Sequence, residues 1–162
     1  MELRRAFPDD VPAVHALLRE LAEVEESQAN FTATTDGLHD ALFGESPKLD
    51  CWVAREDETI IGTALCAPCF VAASCQSVLR LLSLIVHEDR RGTGTGSALL
   101  AVVAQHATDD GYSALDFMVR EANESAQAFY AQHGAVRRVE WQTWRLPATA
   151  LCDLAGDTTR RR

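Results

Sequence analysis

Apolar residues at Val11, Val14, Leu17, Leu18 and Leu21 recur at three- and four-residue spacing, which predicts a helix with one stripe facing a core. Asp9 or Asp10 stands where its cap belongs, and Pro12 is tolerated in a first turn. The stripe ends in the acidic segment Glu23-Val24-Glu25-Glu26. A shorter helix follows through Leu38, Ala41 and Leu42, capped by Thr34 or Thr35 and stopped at Gly44. The pattern then shortens to strands over Cys51 to Arg55, Ile60 to about Phe70, and Val78 to Val86, with a polar hairpin turn at 56–59. Leu79 to Val86 is apolar nearly throughout, as a central strand covered on both faces should be. It leads into a glycine-rich loop and a helix carrying Ala98, Leu99, Val102, Val103 and His106, ending near Gly111. Tyr112 to Val119 predicts another strand, and Asn123 caps a helix with Ala126, Phe129 and Tyr130 on one face and Gly134 as terminator. Val136 to Val139 and Trp141 to Leu146 predict a closing strand pair, and Pro147 to Leu154 one or two helical turns. The order of elements predicts an α/β fold with a mixed, mostly antiparallel central sheet and helices on both faces.

Composition narrows the picture. A chain of 162 residues, 47% hydrophobic and 24% charged, is long enough for one globular domain, expected over 1–155 with 156–162 a disordered tail. Its net charge of −9 speaks against a nucleic-acid partner and against an anionic membrane surface, since both need a basic footprint. No apolar run approaches the roughly 20 residues of a membrane-spanning helix, and the opening MELRRAFPDD has no apolar core like that of a secretion signal. Five cysteines, an odd number, point to reduced thiols and a cytoplasmic setting.

The sharpest chemical signal is Arg91-Gly92-Thr93-Gly94-Thr95-Gly96-Ser97, between an apolar strand and an apolar-periodic helix. Glycines adopt positive φ at no steric cost, so they can turn backbone N–H groups to one side. The free N–H groups and the dipole of the helix start then favour an anion at the same point. No lysine follows, as a P-loop requires, and the alternating glycines do not fit G-x-G-x-x-G. A ligand-free flexible turn is the plain alternative.

Arg91, Gly94 and Gly96, after a strand ending Leu84-Ile85-Val86, resemble the acetyl-coenzyme A motif of the GCN5-related N-acetyltransferases. Leu3 to Ala6 with Asp9-Asp10 resembles that family's first strand and helix, and Glu121 to Ala126 through Phe129-Tyr130 and Gly134 its second cofactor segment and tyrosine helix. Within the family the chain is most similar to the diamine (spermidine/spermine) acetyltransferase branch, in stretches spread over residues 3 to 152. The resemblance implies acetyl transfer from acetyl-CoA to the primary amine of a small molecule, diamine-like or an amino-acid side chain, in a ternary complex within a homodimer. It implies that the diphosphate rests on the backbone of Arg91, Gly92, Thr93, Gly94, Thr95, Gly96 and Ser97. The pantetheine arm would lie along Leu84, Ile85 and Val86, with Asn123 assisting and an N–H near Ile85 or Val86 polarising the thioester carbonyl. Tyr130 matches the tyrosine placed near the sulfur; read from its pattern alone, it is a core aromatic.

Two positions depart from the branch. Its acidic pair before the glycine loop falls here on Leu82 and Ser83, and a later acidic residue on about Gln142. These departures bear on polyamine specificity and on the identity of the general base. Glu25 and Glu26 are the candidates for holding the substrate cation, although a solvated acidic helix end reads the same way. The rival reading is an acetyl-CoA-binding regulatory protein of the same fold without acceptor chemistry. Cys66-Ala67-Pro68-Cys69, with Cys75 and Cys51, lacks paired metal-ligand spacing, so buried thiols and no metal are expected. His87 precedes the loop and is expected at the surface.

Overall fold

In the computed structural model, which describes residues 1–25, 27–140 and 142–160, five strands form one sheet in the order β1-β2-β3-β4-β5. They are β1 (Glu2–Arg5), β2 (Asp50–Glu56), β3 (Thr59–Val71), β4 (Gln76–Val86) and β5 (Leu115–Phe117). The first four pair antiparallel, and β4 pairs with β5 in parallel. The helices are α1 (Val11–Val24), α2 (Thr35–Phe43), α3 (Thr95–Asp109), α4 (Glu124–Gln132) and α5 (Ala148–Arg160). The chain divides into two compact units, Met1–Met118 and Val119–Arg162.

In the first unit the helices cover both faces of the sheet, as the pattern predicts. Side chains of a strand alternate between faces. Cys51 and Val53 of β2 and Leu65 of β3 therefore join Val11 and Val14 of α1 and Leu38 and Leu42 of α2 in one buried cluster. The alternate residues, Trp52 and Gly62, face α3: the Trp52 ring packs tilted against that of His106 at 4.6 Å, and Gly62 lies against Leu99 and Thr95. A Cβ at position 62 would come within 3.0 Å of Leu99 Cδ1 and 3.1 Å of the Ile85 carbonyl. Glycine at 62 thus lets the N-terminal half of α3 sit tightly on β3 and β4.

The helix signals act mostly as their residue types dictate. The Thr34 hydroxyl accepts the Gly37 N–H at 3.1 Å, and Gly44 ends α2. Asn123 Oδ1 accepts the Ala126 N–H at 3.0 Å at the start of α4, and Gly134, at φ +85°, follows its end. Asp10 departs from the expectation. It precedes α1, but its carboxylate does not cap it; Arg4 takes that carboxylate at 2.6 and 3.0 Å, and the Phe7 N–H donates to it at 2.7 Å.

Three segments differ from the sequence expectations. β5 is three residues long: its ladder with β4 covers Leu79–Leu81, and before it Ser113 donates to the Ser77 carbonyl and the Ala114 carbonyl accepts from Leu79, both at 2.9 Å. The closing strand pair is not formed: 135–138 and 142–147 are irregular, 139–140 make a turn, and Trp141 lies outside the described residues. Val136, Val139 and Trp144 stand exposed. The helix expected to last one or two turns after Pro147 continues to Arg160, while Arg161 and Arg162 lie outside the described residues.

Candidate functional site

The glycine loop takes the conformation its composition allows. Gly92 has φ +74° and Gly94 φ +88°, and Gly94 is the residue from which α3 starts. Neither has an atom within 4 Å of where a Cβ would stand, so left-handed backbone rather than crowding is what requires glycine there. The Ala98 N–H closes the first helical bond onto Gly94 at 3.0 Å, which leaves the N–H groups of Thr95, Gly96 and Ser97 ahead of the ladder. Gly94 offers no side chain to cap them. Thr93 and Thr95 share a hydroxyl contact of 2.9 Å, and Thr93 also donates to the Arg90 carbonyl at 2.7 Å, bracing the turn from beneath. The residues from Arg91 to Gly94 are exposed.

Arg91, though exposed, is tied down by its own neighbours. Its Nε donates to the Val86 carbonyl at 3.1 Å, and its guanidinium meets Glu20 of α1 at 2.9 Å. The same Glu20 oxygen accepts the Glu88 N–H at 3.1 Å. The positive charge of Arg91 is therefore offset by a carboxylate, and the anion-attracting character of the loop comes from its backbone. Arg90 is likewise paired, with Glu56 at 2.7 Å. His87 is half-exposed, and its Nδ1 accepts the Asp89 N–H at 3.4 Å.

Beside the loop, β4 presents an open edge. Beyond Leu81 its outer side has no strand partner among the described residues, whereas its inner side stays paired with β3 through Val86 opposite Gly62. The His87 N–H bonds to the Ile61 carbonyl at 2.9 Å. By the alternation of an antiparallel ladder, Ile85 then points its N–H into β3, while Leu84 and Val86 direct theirs to the open edge. Of the two residues named for carbonyl polarisation, Val86 is the one that faces outward.

A bulge shapes this edge further. Cys66 pairs with Leu81 and Leu65 with Ser83, so Leu82 is an extra residue in β4. Before it Leu81 shares the α3 face with Cys66; after it Ser83 shares the opposite face with Leu65, on the side of α1 and α2. Leu82 is exposed. The Ser83 hydroxyl is buried and has no hydrogen-bond partner among the described groups. Periodicity gives no sign of a bulge in a run that is apolar on both faces, and nothing local marks Glu20 as the partner of a residue 71 positions away.

The remaining site residues fall as follows. Glu25, partly buried, is the residue at the C-terminus of α1, and Glu26 lies outside the described residues. Carbonyls at a helix C-terminus already carry negative character, so a carboxylate there makes a cation-attracting end. Asn123 and Tyr130 belong to the second unit; Tyr130 is half-buried on α4, its ring 5.1 Å from that of Phe129. Among the thiols, burial pushes Cys51 up to about 11 and Cys66 up to about 12, while Cys75 and Cys152 are exposed, unlike the buried thiols expected.

A family model described as Acetyltransferase (GNAT) family matches residues 11–135. The chain belongs to this family. It is similar to the thialysine N-epsilon-acetyltransferase of Bos taurus, 28% identical over 165 residues that cover 95% of this chain and 96% of the relative. It is also similar to an L-ornithine N5-acetyltransferase of Arabidopsis thaliana, 25% identical over 92% of this chain and 85% of that protein. Thialysine and ornithine are both diamino acids, in keeping with the diamine branch that the motifs resemble. Among solved structures, an integron cassette protein from the mobile metagenome of V. cholerae matches with a TM-score of 0.78 at 23% identity, covering 95% of this chain and 96% of that one. An aminoglycoside acetyltransferase from an uncultured soil metagenomic sample matches with a TM-score of 0.74 at 19% identity, covering 90% and 96%. At such identities the two structures speak for the GNAT fold. As a member of the family the chain is an acetyltransferase.

Proposed function

We propose that residues 1–155 work as one N-acetyltransferase domain that moves an acetyl group from acetyl-CoA to a primary amine of a diamine or diamino acid. Transfer is by direct attack in a ternary complex. The observation that supports this most is the adjacency of two unfilled backbone surfaces: the free N–H groups at the start of α3 and the unpaired edge of β4. The first suits a diphosphate, because three N–H groups and a helix dipole converge on one point. The second suits an amide-bearing arm, which can pair with Leu84 and Val86 as an added strand would.

The reaction asks three things of these residues. Val86 N–H polarises the thioester carbonyl and stabilises the oxyanion that forms when the amine attacks. The amine must arrive without its proton. At pH 7 an alkylamine of pKa ~10.4 is neutral in about one molecule per 2,500, a cost of ~4.6 kcal/mol. Glu25, and Glu26 in sequence beside it, attract the ammonium ion, and the Ser83 hydroxyl accepts an N–H and holds the nitrogen as its proton passes to water. An orphaned buried hydroxyl is destabilising by about 1–3 kcal/mol, and a bound amine removes that penalty. Finally, as the C–N bond forms and the C–S bond breaks, the departing sulfur needs a proton, which Tyr130 supplies in the role that the resemblance implies; the nitrogen sheds one proton to water as it becomes an amide, and the phenolate regains one from water. Proton donation from a phenol of pKa ~10 to a thiolate whose acid has pKa ~8.5 is uphill by ~2 kcal/mol, so Tyr130 first hydrogen-bonds the sulfur.

Asn123 supports the cofactor in the same reading, and no metal takes part in the transfer. The protein is cytoplasmic and works as a homodimer, in which the exposed Val136, Val139 and Trp144 would find cover. A thiol-release assay over diamines, thialysine, ornithine and arylamines tests the proposal. Acetyl-CoA-dependent turnover is expected for the diamino acids and diamines. Tight acetyl-CoA binding with no turnover on any amine would favour the rival, a regulatory acetyl-CoA-binding protein, which the loss of acidic residues at Leu82 and Ser83 speaks for.

A further inference from the structure

Three elements bring Asp50, Cys66 and His106 together at the opposite end of α3 from the glycine loop. Asp50 opens β2, Cys66 is in β3, and His106 is in the last turn of α3. One ligand atom from each, a carboxylate oxygen, the thiol sulfur and a ring nitrogen, lies within 4.8 Å of the other two. The acetyl transfer described above uses none of them. The cluster is not the C-x-x-C spacing that sequence offers, since only Cys66 of that motif takes part.

The surroundings hold each group in place. The His106 ring lies 4.6 Å from Trp52 and 6.1 Å from Tyr112, and its side chain is 9% exposed. Its Nε2 is buried, has no hydrogen-bond partner among the described groups, and lies 3.7 Å from Asp50 Oδ2. That separation is too long for a hydrogen bond but suits two ligands of one ion, which stand about 3.3–3.8 Å apart around a tetrahedral zinc. The other ring nitrogen, Nδ1, lies 3.6 Å from Asp110 Oδ2, which is also beyond hydrogen-bond range. Arg5 holds Asp50 Oδ1 at 2.8 Å, which leaves Oδ2 turned toward His106.

We infer that Asp50, Cys66 and His106 form a binding site for a divalent transition-metal ion, with zinc the ion that fits the mixed oxygen, sulfur and nitrogen donors. Magnesium and calcium prefer oxygen alone and would leave the sulfur and nitrogen unused. Binding exchanges the Cys66 thiol proton for the ion; the proton leaves to solvent, Sγ and Nε2 donate their electron pairs to the metal, and nothing is oxidised. Asp50 is the least buried of the three side chains, so water can complete the fourth position on its side. The ion would pin the C-terminal turn of α3 to the sheet.

Cobalt(II), added to the chelator-treated full chain, tests this without reference to acetyl transfer. The expected spectrum has intense visible bands of a tetrahedral site and a near-ultraviolet sulfur-to-cobalt charge-transfer band, both removed by added zinc. Cys66→Ala should abolish the charge-transfer band. His106→Gln, which leaves every thiol in place, should weaken zinc binding by roughly 100-fold or more, beyond the loss typical of an outer-shell residue. A weak octahedral spectrum without sulfur bands, or a charge-transfer band that persists in Cys66→Ala, would overturn the inference. So would unchanged zinc affinity in His106→Gln. In each case Asp50 and His106 are only close neighbours.

Discussion

Glu20 and Arg91, 71 positions apart, meet at 2.9 Å, and the same Glu20 oxygen accepts the backbone N–H of Glu88. One carboxylate on α1 thus fastens both ends of the short segment that leads into the anion cradle. Glu20→Ala should release that segment and weaken acetyl-CoA binding about fivefold, the worth of ~1 kcal/mol of hydrogen bonding. Glu20→Gln keeps an oxygen acceptor and should recover most of the loss. Calorimetric titration of both variants with acetyl-CoA checks the pair; equal weakening in both would show that charge, not loop position, is what Glu20 provides.

Gly94 is where left-handed backbone and helix start coincide. A Cβ there meets nothing, so Gly94→Ala should still fold, at a backbone cost of about 1–2 kcal/mol. For a chain of this size that lowers Tm by about 2–8 °C. The larger effect should be on acetyl-CoA, with Kd rising roughly tenfold or more as the N–H groups leave their common focus. A thermal melt with and without ligand separates the two.

Ser83 and Tyr130 should fail in different ways. Ser83→Ala removes a buried hydroxyl without a partner, so Tm should hold or rise while KM for the amine increases. Tyr130→Phe should leave both KM values near normal and lower kcat by roughly 100-fold or more, as loss of an acid catalyst does. Steady-state kinetics with the best amine of the panel decides. A Ser83→Ala variant with unchanged amine KM would remove the hydroxyl from substrate binding.

Arg4 holds Asp10 by two hydrogen bonds, and these keep the Asp10 carboxyl below the ordinary aspartate range. A carboxyl whose folded pKa is depressed binds fewer protons than in the unfolded chain. Its stabilisation is therefore complete above the unfolded value of about 3.9 and is lost as pH falls through the lower folded value. Asp10→Asn should be destabilising by about 1–3 kcal/mol at pH 7. Urea unfolding at pH 7, 5, 4 and 3 should show this difference shrinking below about pH 4; a constant difference would mean that the pair does not titrate with folding.

Much of this architecture is legible where a residue type has one physical job. Thr34, Asn123, Gly44 and Gly134 begin and end helices for reasons local to each, and the alternating apolar pattern places Val53 and Leu65 in the core. Glycines at 92 and 94 announce a turn that side chains would resist. What local pattern does not carry is long-range or compensating. Residues 135–147 alternate as strands do, yet a strand needs a partner edge as well as a pattern, and local sequence does not carry one. The bulge at Leu82 hides in an apolar run, and the orphaned Ser83 hydroxyl follows from that bulge. The Asp50, Cys66 and His106 cluster is assembled from three elements, so no spacing in the chain reveals it.

Amide resonances report most directly on whether backbone N–H groups grip the coenzyme. In a nitrogen–proton correlation spectrum titrated with coenzyme A, the largest shifts should fall on Gly94, Thr95, Gly96 and Ser97, followed by Leu84 and Val86. Saturable binding that leaves those six amides in place, or no binding at all, would contradict the account.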